Sequence, residues 1–213
     1  LLFTVSHVHT PAAQAEEFVI ASWNLENLFD TADDPKVEGD EEYTPESKKK
    51  WTKERLNIKL ENLAAIISKM KDGKGPDVLG VCEVENRKVL ELLVEKLHGL
   101  GRKYEIVHQD SPSERGIDCA IIFDSAVFKL AGSKFHHVDA DNTRDIVEAQ
   151  LCVHGDGSAQ PHPAGFLHIG KQLVIDGLAA CLRLHAVMIG AAGARQPPYL
   201  LGDAMHVNGQ ADA

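Results

Sequence analysis

The sequence predicts an α/β or α+β domain, built on a mixed β-sheet with helices on one face. Two observations favour this class: short runs rich in β-forming residues recur along residues 18–153, and two longer stretches between them repeat apolar residues at helical spacing. With 213 residues, 44% hydrophobic and 25% charged, the chain is long enough to bury a sizeable core. The predicted element order is β-α-β-α-β-β-β.

The first strand and the first helix are predicted at residues 18–23 and 51–70. The strand is a β-rich apolar run that delivers Asn24 at its carboxyl end. The helix is indicated by apolar residues spaced four, three, four and three positions apart, namely Leu56, Leu60, Leu63, Ile67 and Met70. Glycines and a proline within residues 72–76 end it. Residues 30–50 are acidic and then basic and contain two prolines, which predicts a solvated loop.

The remaining elements follow in the same way. Residues 77–82 are a continuous apolar run ending at Glu83, which is typical of a strand buried on both faces. The second helix has one apolar side, formed by Val89, Leu93, Leu97 and Leu100. Three more strands are predicted at residues 104–108, 118–123 and 146–153. In the last of these, apolar and polar residues alternate, as in a strand covered on one face.

The charge of the chain excludes some classes of function. Against 22 Lys and Arg stand 32 Asp and Glu, so the net charge is −10. A broad basic face that holds nucleic acid by charge alone is therefore not expected, although a bound cation could supply positive charge for a phosphate substrate. No run of 18 apolar residues occurs, so no membrane span is predicted. Nor do the sequence features predict a protein partner.

The composition divides the chain into three segments. Residues 1–15 are an apolar start that ends in Ala-Gln-Ala, which resembles the remnant of an export signal and predicts a periplasmic or secreted protein. Residues 16–156 carry the whole net charge. Residues 157–213 contain only three acidic and three basic residues and are rich in Ala and Gly. We therefore expect residues 16–156 to hold the functional part of the domain.

Four cysteines are spread widely along the chain and form no Cys-x-x-Cys pair, so neither a zinc knuckle nor a dense disulfide scaffold is indicated. Cys82, Cys119 and Cys152 each fall in a predicted strand. We expect these three to be buried free thiols.

Two predicted strands end in oxygen donors that suit a hard cation. Asn24 follows the first strand, and the carboxylate of Glu83 follows the second. Such a pair suits Mg²⁺, which takes one or two protein carboxylates and keeps several waters. Taken alone, the pair is also explained by capping and solvation of the strand ends.

Four segments of the sequence together resemble the endonuclease/exonuclease/phosphatase superfamily: residues 18–29, 76–86, 115–123 and 143–145, in that order. The resemblance covers about residues 17–156 and is similar to an exported, nuclease-like bacterial branch. It implies a β-sandwich of two mixed sheets flanked by helices, and hydrolysis of phosphate esters with Mg²⁺, for which Mn²⁺ or Ca²⁺ are alternatives.

The resemblance also implies roles for individual residues. Asn24 and Glu83 match the family's metal-site residues, and Arg144 resembles its arginine that contacts substrate phosphate. For Arg144, an ion pair with Asp141 or Asp145 is the alternative. Asp110 matches an acid that orients a catalytic histidine in some members, and His108 and Asp118 could line the same cleft. For all three residues, ordinary loop polarity is the favoured alternative. For Glu26 and Glu85, which alternate away from Asn24 and Glu83, a structural role is favoured.

The function that these features favour is Mg²⁺-dependent hydrolysis of phosphodiesters in nucleic acid. The alternatives are a non-catalytic module that binds metal or phosphate, and a phosphatase or phosphodiesterase acting on a small phosphorylated or lipid substrate. The general base and the Asp-x-Asn and Asp-His pairs of the family's second half have no match here, so the fold is expected to be incomplete there. A frameshifted or truncated product, a divergent second half and a non-catalytic descendant would each explain residues 157–213.

Overall fold

The computed structural model describes residues 18–137 and 143–154, together with the backbone of three further strands. The elements in chain order are β1 (Phe18–Leu28), α1 (Lys53–Ile67), α2 (Met70–Gly73), β2 (Val78–Val84), α3 (Arg87–Lys96), β3 (Tyr104–His108), β4 (Asp118–Asp124), β5 (Phe128–His136), β6 (Ile146–Val153), β7 (Gln172–Asp176), β8 (Cys181–Val187) and β9 (Met205–Val207). Short 3-10 turns lie at Glu41–Tyr43 and His98–Leu100.

The described strands form two sheets. One has five strands in the order β3-β4-β2-β1-β9, and the other has four in the order β5-β6-β8-β7. β1 and β2 are parallel, while the other described ladders are antiparallel. Because β1 and β2 are parallel and α1 connects them, their carboxyl ends lie at one edge of the first sheet.

The described core has two layers, one on each face of the first sheet. On one face, Ala21 and Leu79 pack with the apolar sides of α1 and α3. On the other, Ile20 and Val78 pack with Val147 and other residues of β5 and β6. The domain therefore has three layers: the helices, the first sheet and the second sheet. Successive residues of a strand point to opposite faces, so β1 and β2 contact the helices on one face and the second sheet on the other.

The mixed α+β class with sheets and few helices is confirmed. α1 and α3 lie where helical spacing predicts them, and β3, β4 and β6 match the predicted strands to within a residue. β1 and β2 extend further toward their carboxyl ends than predicted. β5 is absent from the prediction, because only its first residue is buried and most of the rest is exposed, so no alternating apolar pattern marks it.

Predictions for the chain termini lie mostly outside this description. The export signal expected at residues 1–15 is outside the described residues, and of 157–213 only strand backbone is described. No helix among the described residues is both long and apolar enough to span a membrane.

Two of the three cysteine predictions are confirmed. Cys82 and Cys119 are free and buried, and they lie opposite each other in the β2–β4 ladder. Cys152 is disulfide-bonded, so the prediction of a free thiol is wrong there. The reason is its position: Leu151 fills the core face of β6, and the alternation turns Cys152 to the other face, where it is only half-buried.

The end of β1 is tied to the start of α3 by two acidic side chains. Glu85 Oε2 accepts the backbone N–H of Asp30 at 2.5 Å, and Asp30 Oδ2 accepts a hydrogen bond from Lys88 Nζ at 2.9 Å. Asn86 begins α3 by accepting the N–H of Val89 at 2.9 Å. Burial, reinforced by the negative charge of Asp30, raises the pKa of Glu85 to about 7.

A buried ion network fixes the opposite edge of the first sheet. Arg102 Nη1 lies 2.7 Å from Asp77 Oδ1 and 2.9 Å from Asp124 Oδ2, and the Arg102 side chain is only 9% exposed. Asp77 Oδ2 also accepts the N–H of Val19 at 2.7 Å and pairs with Lys71. Burial raises the pKa of Asp77, but these donors outweigh it and lower that pKa below its ordinary value. The network joins β1, β2 and β4 where β2 begins.

Replacing Arg102 with Met is expected to destabilise the fold by about 3–5 kcal/mol, because it leaves the buried Asp124 without a cation and the buried Asp77 with Lys71 alone. Urea unfolding measures the effect. The matched control is Arg87→Met. The ion pair of Arg87 with Glu91 is more than half exposed, so this variant should lower the free energy of unfolding by about 0.5 kcal/mol or less. Equal losses in the two variants would contradict a central role for Arg102.

Replacing Glu85 with Gln is expected to change how stability depends on pH. The folded pKa is about 7 against an ordinary value of 4.5, so between these values the unfolded chain has released a proton that the folded protein still holds. Glu85 therefore lowers the free energy of unfolding as the pH rises through this window. In urea titrations at several pH values, the stability of Glu85→Gln relative to wild type should increase with pH. Glu105→Gln, on an exposed position of β3, should show no such trend, and its absence in Glu85→Gln would refute the assignment.

Candidate active site at the carboxyl ends of β1 and β2

Asn24 and Glu83 occupy neighbouring positions at one edge of the first sheet. Asn24 lies opposite Cys82 in the parallel β1–β2 ladder, and Glu83 is the next residue of β2. Asn24 is exposed and Glu83 is half-buried. The prediction that both residues follow their strands is wrong in detail, because hydrogen bonding continues through β1 to Leu28 and through β2 to Val84.

Glu83 is an extra residue in β2. In the ladder with β4, Cys82 lies opposite Cys119 and Val84 lies opposite Asp118, so Glu83 has no partner. Its backbone has φ +57°, in the left-handed region that costs a residue with a side chain about 1–2 kcal/mol. A bulge of this kind re-aims a side chain out of the regular alternation. The strained backbone at Glu83 thus directs its carboxylate out of the regular alternation of the strand.

β1 is irregular at the same level of the sheet. Glu26 and Asn27 have φ +54° and +61°, and the β1–β2 register shifts between Asn24 and Leu28. Asn24 Oδ1 accepts the backbone N–H of Glu26 at 2.7 Å, which fixes the amide group. The two neighbouring strands therefore both depart from regular geometry where the candidate ligands lie.

Arg144 reaches this edge from the second sheet. It lies in the segment just before β6, and its Nη2 is 3.6 Å from Glu83 Oε1. The Arg144 side chain is 9% exposed and that of Glu83 is 15% exposed. Asp145, one of the alternative partners, instead lies 3.1 Å from His137 Nδ1, and Asp141 is outside the described residues.

The guanidinium of Arg144 is incompletely satisfied. Among the described residues its buried Nε has no hydrogen-bond partner, and the contact to Glu83 is too long for a hydrogen bond. A buried donor without an acceptor is costly, and a guanidinium is suited to bind a carboxylate or phosphate through two parallel bonds. Arg144 is therefore a candidate to bind an anion at this edge.

Two further cations belong to the site and were not singled out from the sequence. Lys59 of α1 donates from Nζ to the backbone oxygens of Glu26 at 2.6 Å and Asn27 at 3.4 Å. Burial lowers the pKa of Lys59, and the nearby carboxylates of Glu26 and Glu83 oppose that shift. A lysine on the half-buried side of an amphipathic helix is the sequence signal that could have identified it.

Arg115 is the second of these cations. Its Nη2 donates to Asn27 Oδ1 at 2.8 Å. The following Gly116 has φ +58°, and a Cβ there would lie 2.3 Å from Val37 Cγ1, so only glycine allows the loop to pass so close. Gly116 lies in segment 115–123, which resembles the superfamily, and it was the sequence feature that could have drawn attention to Arg115.

Asp110, His108 and Asp118 form a second group at this edge. His108 Nε2 is 3.1 Å from Asp118 Oδ2, and His108 Nδ1 is 4.0 Å from Asp110 Oδ1. The side chains of His108 and Asp118 are 2% and 4% exposed, whereas that of Asp110 is 86% exposed. The structure thus brings together the three residues for which the sequence left a shared cleft or ordinary loop polarity open.

The free thiols of Cys82 and Cys119 are buried and unreactive. Burial raises the pKa of Cys119 to about 11, although the charge of Arg144 opposes the shift, and burial raises the pKa of Cys82 further. A thiol nucleophile must be deprotonated to react. Neither cysteine is therefore placed to act as a nucleophile.

The residues at the strand ends fit a divalent cation. Glu83 supplies a carboxylate that makes no hydrogen bond with the described residues, and Asn24 supplies an amide oxygen with a free lone pair beside its bond to Glu26. One carboxylate, one neutral oxygen and room for water match the preference of Mg²⁺. Manganese and calcium accept the same donors.

Three solved structures are similar to this chain. They are a humanized D. rerio TDP2 carrying 14 mutations (16% identity, TM-score 0.42, 65% of this chain and 46% of that chain), an endonuclease/exonuclease/phosphatase family protein from Bacteroides thetaiotaomicron (17%, 0.43, 68% and 48%) and ANGEL2, a 2',3'-cyclic phosphatase (17%, 0.40, 67% and 41%). The chain spans less than half the length of each. No curated protein matches it significantly.

The family of this chain is shown by a match over its sequence. The model of the Endonuclease/Exonuclease/phosphatase family matches residues 19–161, which is more than half of the sequence. The match contains Asn24, Glu83, Asp110 and Arg144. This chain therefore belongs to the Endonuclease/Exonuclease/phosphatase family.

Proposed function

We propose that this protein is a Mg²⁺-dependent phosphoesterase that hydrolyses phosphodiester bonds in nucleic acid. One observation carries the proposal: the buried guanidinium of Arg144, whose Nε has no hydrogen-bond partner among the described residues, lies 3.6 Å from the strained Glu83. A cation site and an anion site then share one edge of the sheet. A metal ion and a phosphate together would satisfy both groups, because each binds the opposite charge.

The chain's own residues have distinct tasks in this proposal. Glu83 and Asn24 hold the cation, and Arg144 binds a non-bridging phosphate oxygen and so orients the phosphorus toward the metal site. Bound Mg²⁺ would polarise the phosphoryl oxygen and stabilise charge on the leaving oxygen. Lys59 holds the irregular end of β1 in place through its two carbonyl contacts.

Asp110 is the acidic residue to which the family resemblance gives the role of orienting a histidine. The histidine that the structure places beside it is His108, at 4.0 Å. The side chain of His108 is only 2% exposed, and its Nε2 is already in contact with Asp118 at 3.1 Å. We therefore do not assign the general base to His108.

A groove next to Asn24 supports nucleic acid as the substrate. Its volume is about 450 Å³, and it runs between the end of β1 and the exposed side of α1. Trp23, Trp51, Arg55 and Lys59 contribute to its walls, together with aliphatic residues such as Ile58 and Ile66. Aromatic side chains stack on bases and cations attract the backbone of a single strand, so this lining offers both kinds of contact that a single-stranded nucleic acid uses.

The disulfide-bonded Cys152 supports the further proposal that the protein is exported. Disulfide bonds persist in oxidising compartments and are rare in the cytosol of most organisms.

The proposed activity is tested with plasmid DNA, an RNA oligonucleotide and bis-p-nitrophenyl phosphate, with and without Mg²⁺. Wild type should cleave with Mg²⁺ and lose activity with EDTA. Glu83→Gln should lower kcat/KM by about 100-fold or more, since it removes a charged metal ligand worth several kcal/mol in the transition state. Glu105→Gln is the control of matched chemistry on an exposed strand position and should keep wild-type activity.

Three outcomes separate the alternatives. Turnover that is equal in wild type and Glu83→Gln would contradict the assigned site. A wild type that binds inorganic phosphate but turns over no substrate would identify a binding module. Faster hydrolysis of small or lipid phosphodiesters than of DNA or RNA would keep the site and overturn the nucleic-acid substrate.

A further inference from the structure

His108 is held between two carboxylates at the carboxyl end of β3. Its Nε2 lies 3.1 Å from Asp118 Oδ2 on one side, and its Nδ1 lies 4.0 Å from Asp110 Oδ1 on the other. The ligand atoms of the three side chains all lie within 4.8 Å of one another. The arrangement is asymmetric, because one carboxylate is buried and hydrogen-bonded while the other is exposed.

The hydrogen bonds of Asp118 fix which ring nitrogen carries the proton. Asp118 Oδ1 accepts the backbone N–H of Ser111 at 2.8 Å and the Ser111 hydroxyl at 2.5 Å. Because Oδ1 accepts both of these bonds, Oδ2 is the oxygen that remains to accept from His108. His108 Nε2 therefore donates, which leaves the lone pair of Nδ1 directed toward Asp110 in the neutral ring.

In this tautomer two acceptors face each other across 4.0 Å. This separation is too long for a hydrogen bond. It exceeds by about 0.5–1 Å the separation of two ligand atoms that each lie about 2.0–2.2 Å from one ion at ordinary ligand angles. The exposed side chain of Asp110 has room to adjust toward an ordinary ligand angle. A cation between the two atoms would satisfy both.

The buried side of the group resembles the support that metal-binding histidines require. A histidine that binds a metal through one ring nitrogen almost always donates its other N–H to a carboxylate or carbonyl. Asp118 makes this contact, and Ser111 holds Asp118 in turn. The imidazole is thus oriented before any ion binds.

We propose that His108 Nδ1 and Asp110 bind a transition-metal ion, with Zn²⁺ and Mn²⁺ as the ions that suit one imidazole and one carboxylate. Asp118 is a positioning residue for His108. The site is separate from the Asn24 and Glu83 pair and goes beyond the proposed phosphoesterase function. It adjoins that pair through the sheet, because Asp118 lies opposite Val84 in the β2–β4 ladder.

The experiment titrates the EDTA-treated 213-residue chain with ZnCl₂ by calorimetry, in competition with a chelator of known affinity. Wild type should bind one more equivalent of Zn²⁺ than Asp110→Asn and His108→Gln. Asp118→Asn should bind that equivalent about 10–100-fold more weakly, as expected when a supporting carboxylate is lost. Because Asp110 is exposed, Asp110→Asn is expected to fold normally even if a buried variant does not.

Two controls locate the effect. His98→Gln removes an exposed histidine outside the group, and Glu83→Gln removes the proposed Mg²⁺ ligand, so both should keep the additional Zn²⁺ equivalent. Identical stoichiometry and affinity in wild type and Asp110→Asn would overturn the proposal. Loss of the equivalent in Glu83→Gln but not in Asp110→Asn would also overturn it, since the ion would then belong to the other pair.

Discussion

The extra residue at Glu83 is the constraint on which the rest of this site depends. Without the bulge, alternation along β2 would pair Glu83 regularly with β4, and its carboxylate would follow the pleat rather than be re-aimed at the edge. The left-handed backbone at φ +57° costs energy, and the surrounding ladders hold it in place. The adjoining irregularity of β1, held by Lys59, gives Asn24 its matching position. Strain in two neighbouring strands thus creates one oxygen-lined edge.

The opposite edge of the sheet is held by a buried ion network. There Arg102 satisfies Asp77 and Asp124 and joins the start of β2 to the end of β4. Every charge in that network has a partner, whereas at the active edge Arg144 has an unsatisfied donor among the described residues. The contrast between a satisfied and an unsatisfied buried arginine distinguishes a structural ion network from a candidate binding site.

Much of the fold could be predicted from the sequence, because periodicity reports burial. The spacing of Leu56, Leu60 and Leu63 identifies α1, and the alternation through residues 146–153 identifies β6. β5 gave no such signal, since it buries only Phe128 and lies at a sheet edge. For the site, Asn24 and Glu83 were predicted from their positions after two strands and from motif resemblance, and Arg144 was predicted from motif resemblance alone. Contacts between residues distant in sequence could not be predicted, because the spacing of apolar residues along the chain does not encode them. They determine the bulge at Glu83, the positions of Lys59 and Arg115, and the tautomer of His108.

The central claim is that Glu83 and Arg144 form one composite site for a cation and a phosphate. Calorimetric titration of inorganic phosphate, with and without saturating Mg²⁺, tests it most directly. Mg²⁺ should neutralise the Glu83 carboxylate next to Arg144 and tighten phosphate binding by about tenfold, a coupling of about 1.4 kcal/mol. The coupling should vanish in Glu83→Gln. A phosphate Kd that is the same with and without Mg²⁺, or one unchanged in Arg144→Met, would contradict the account.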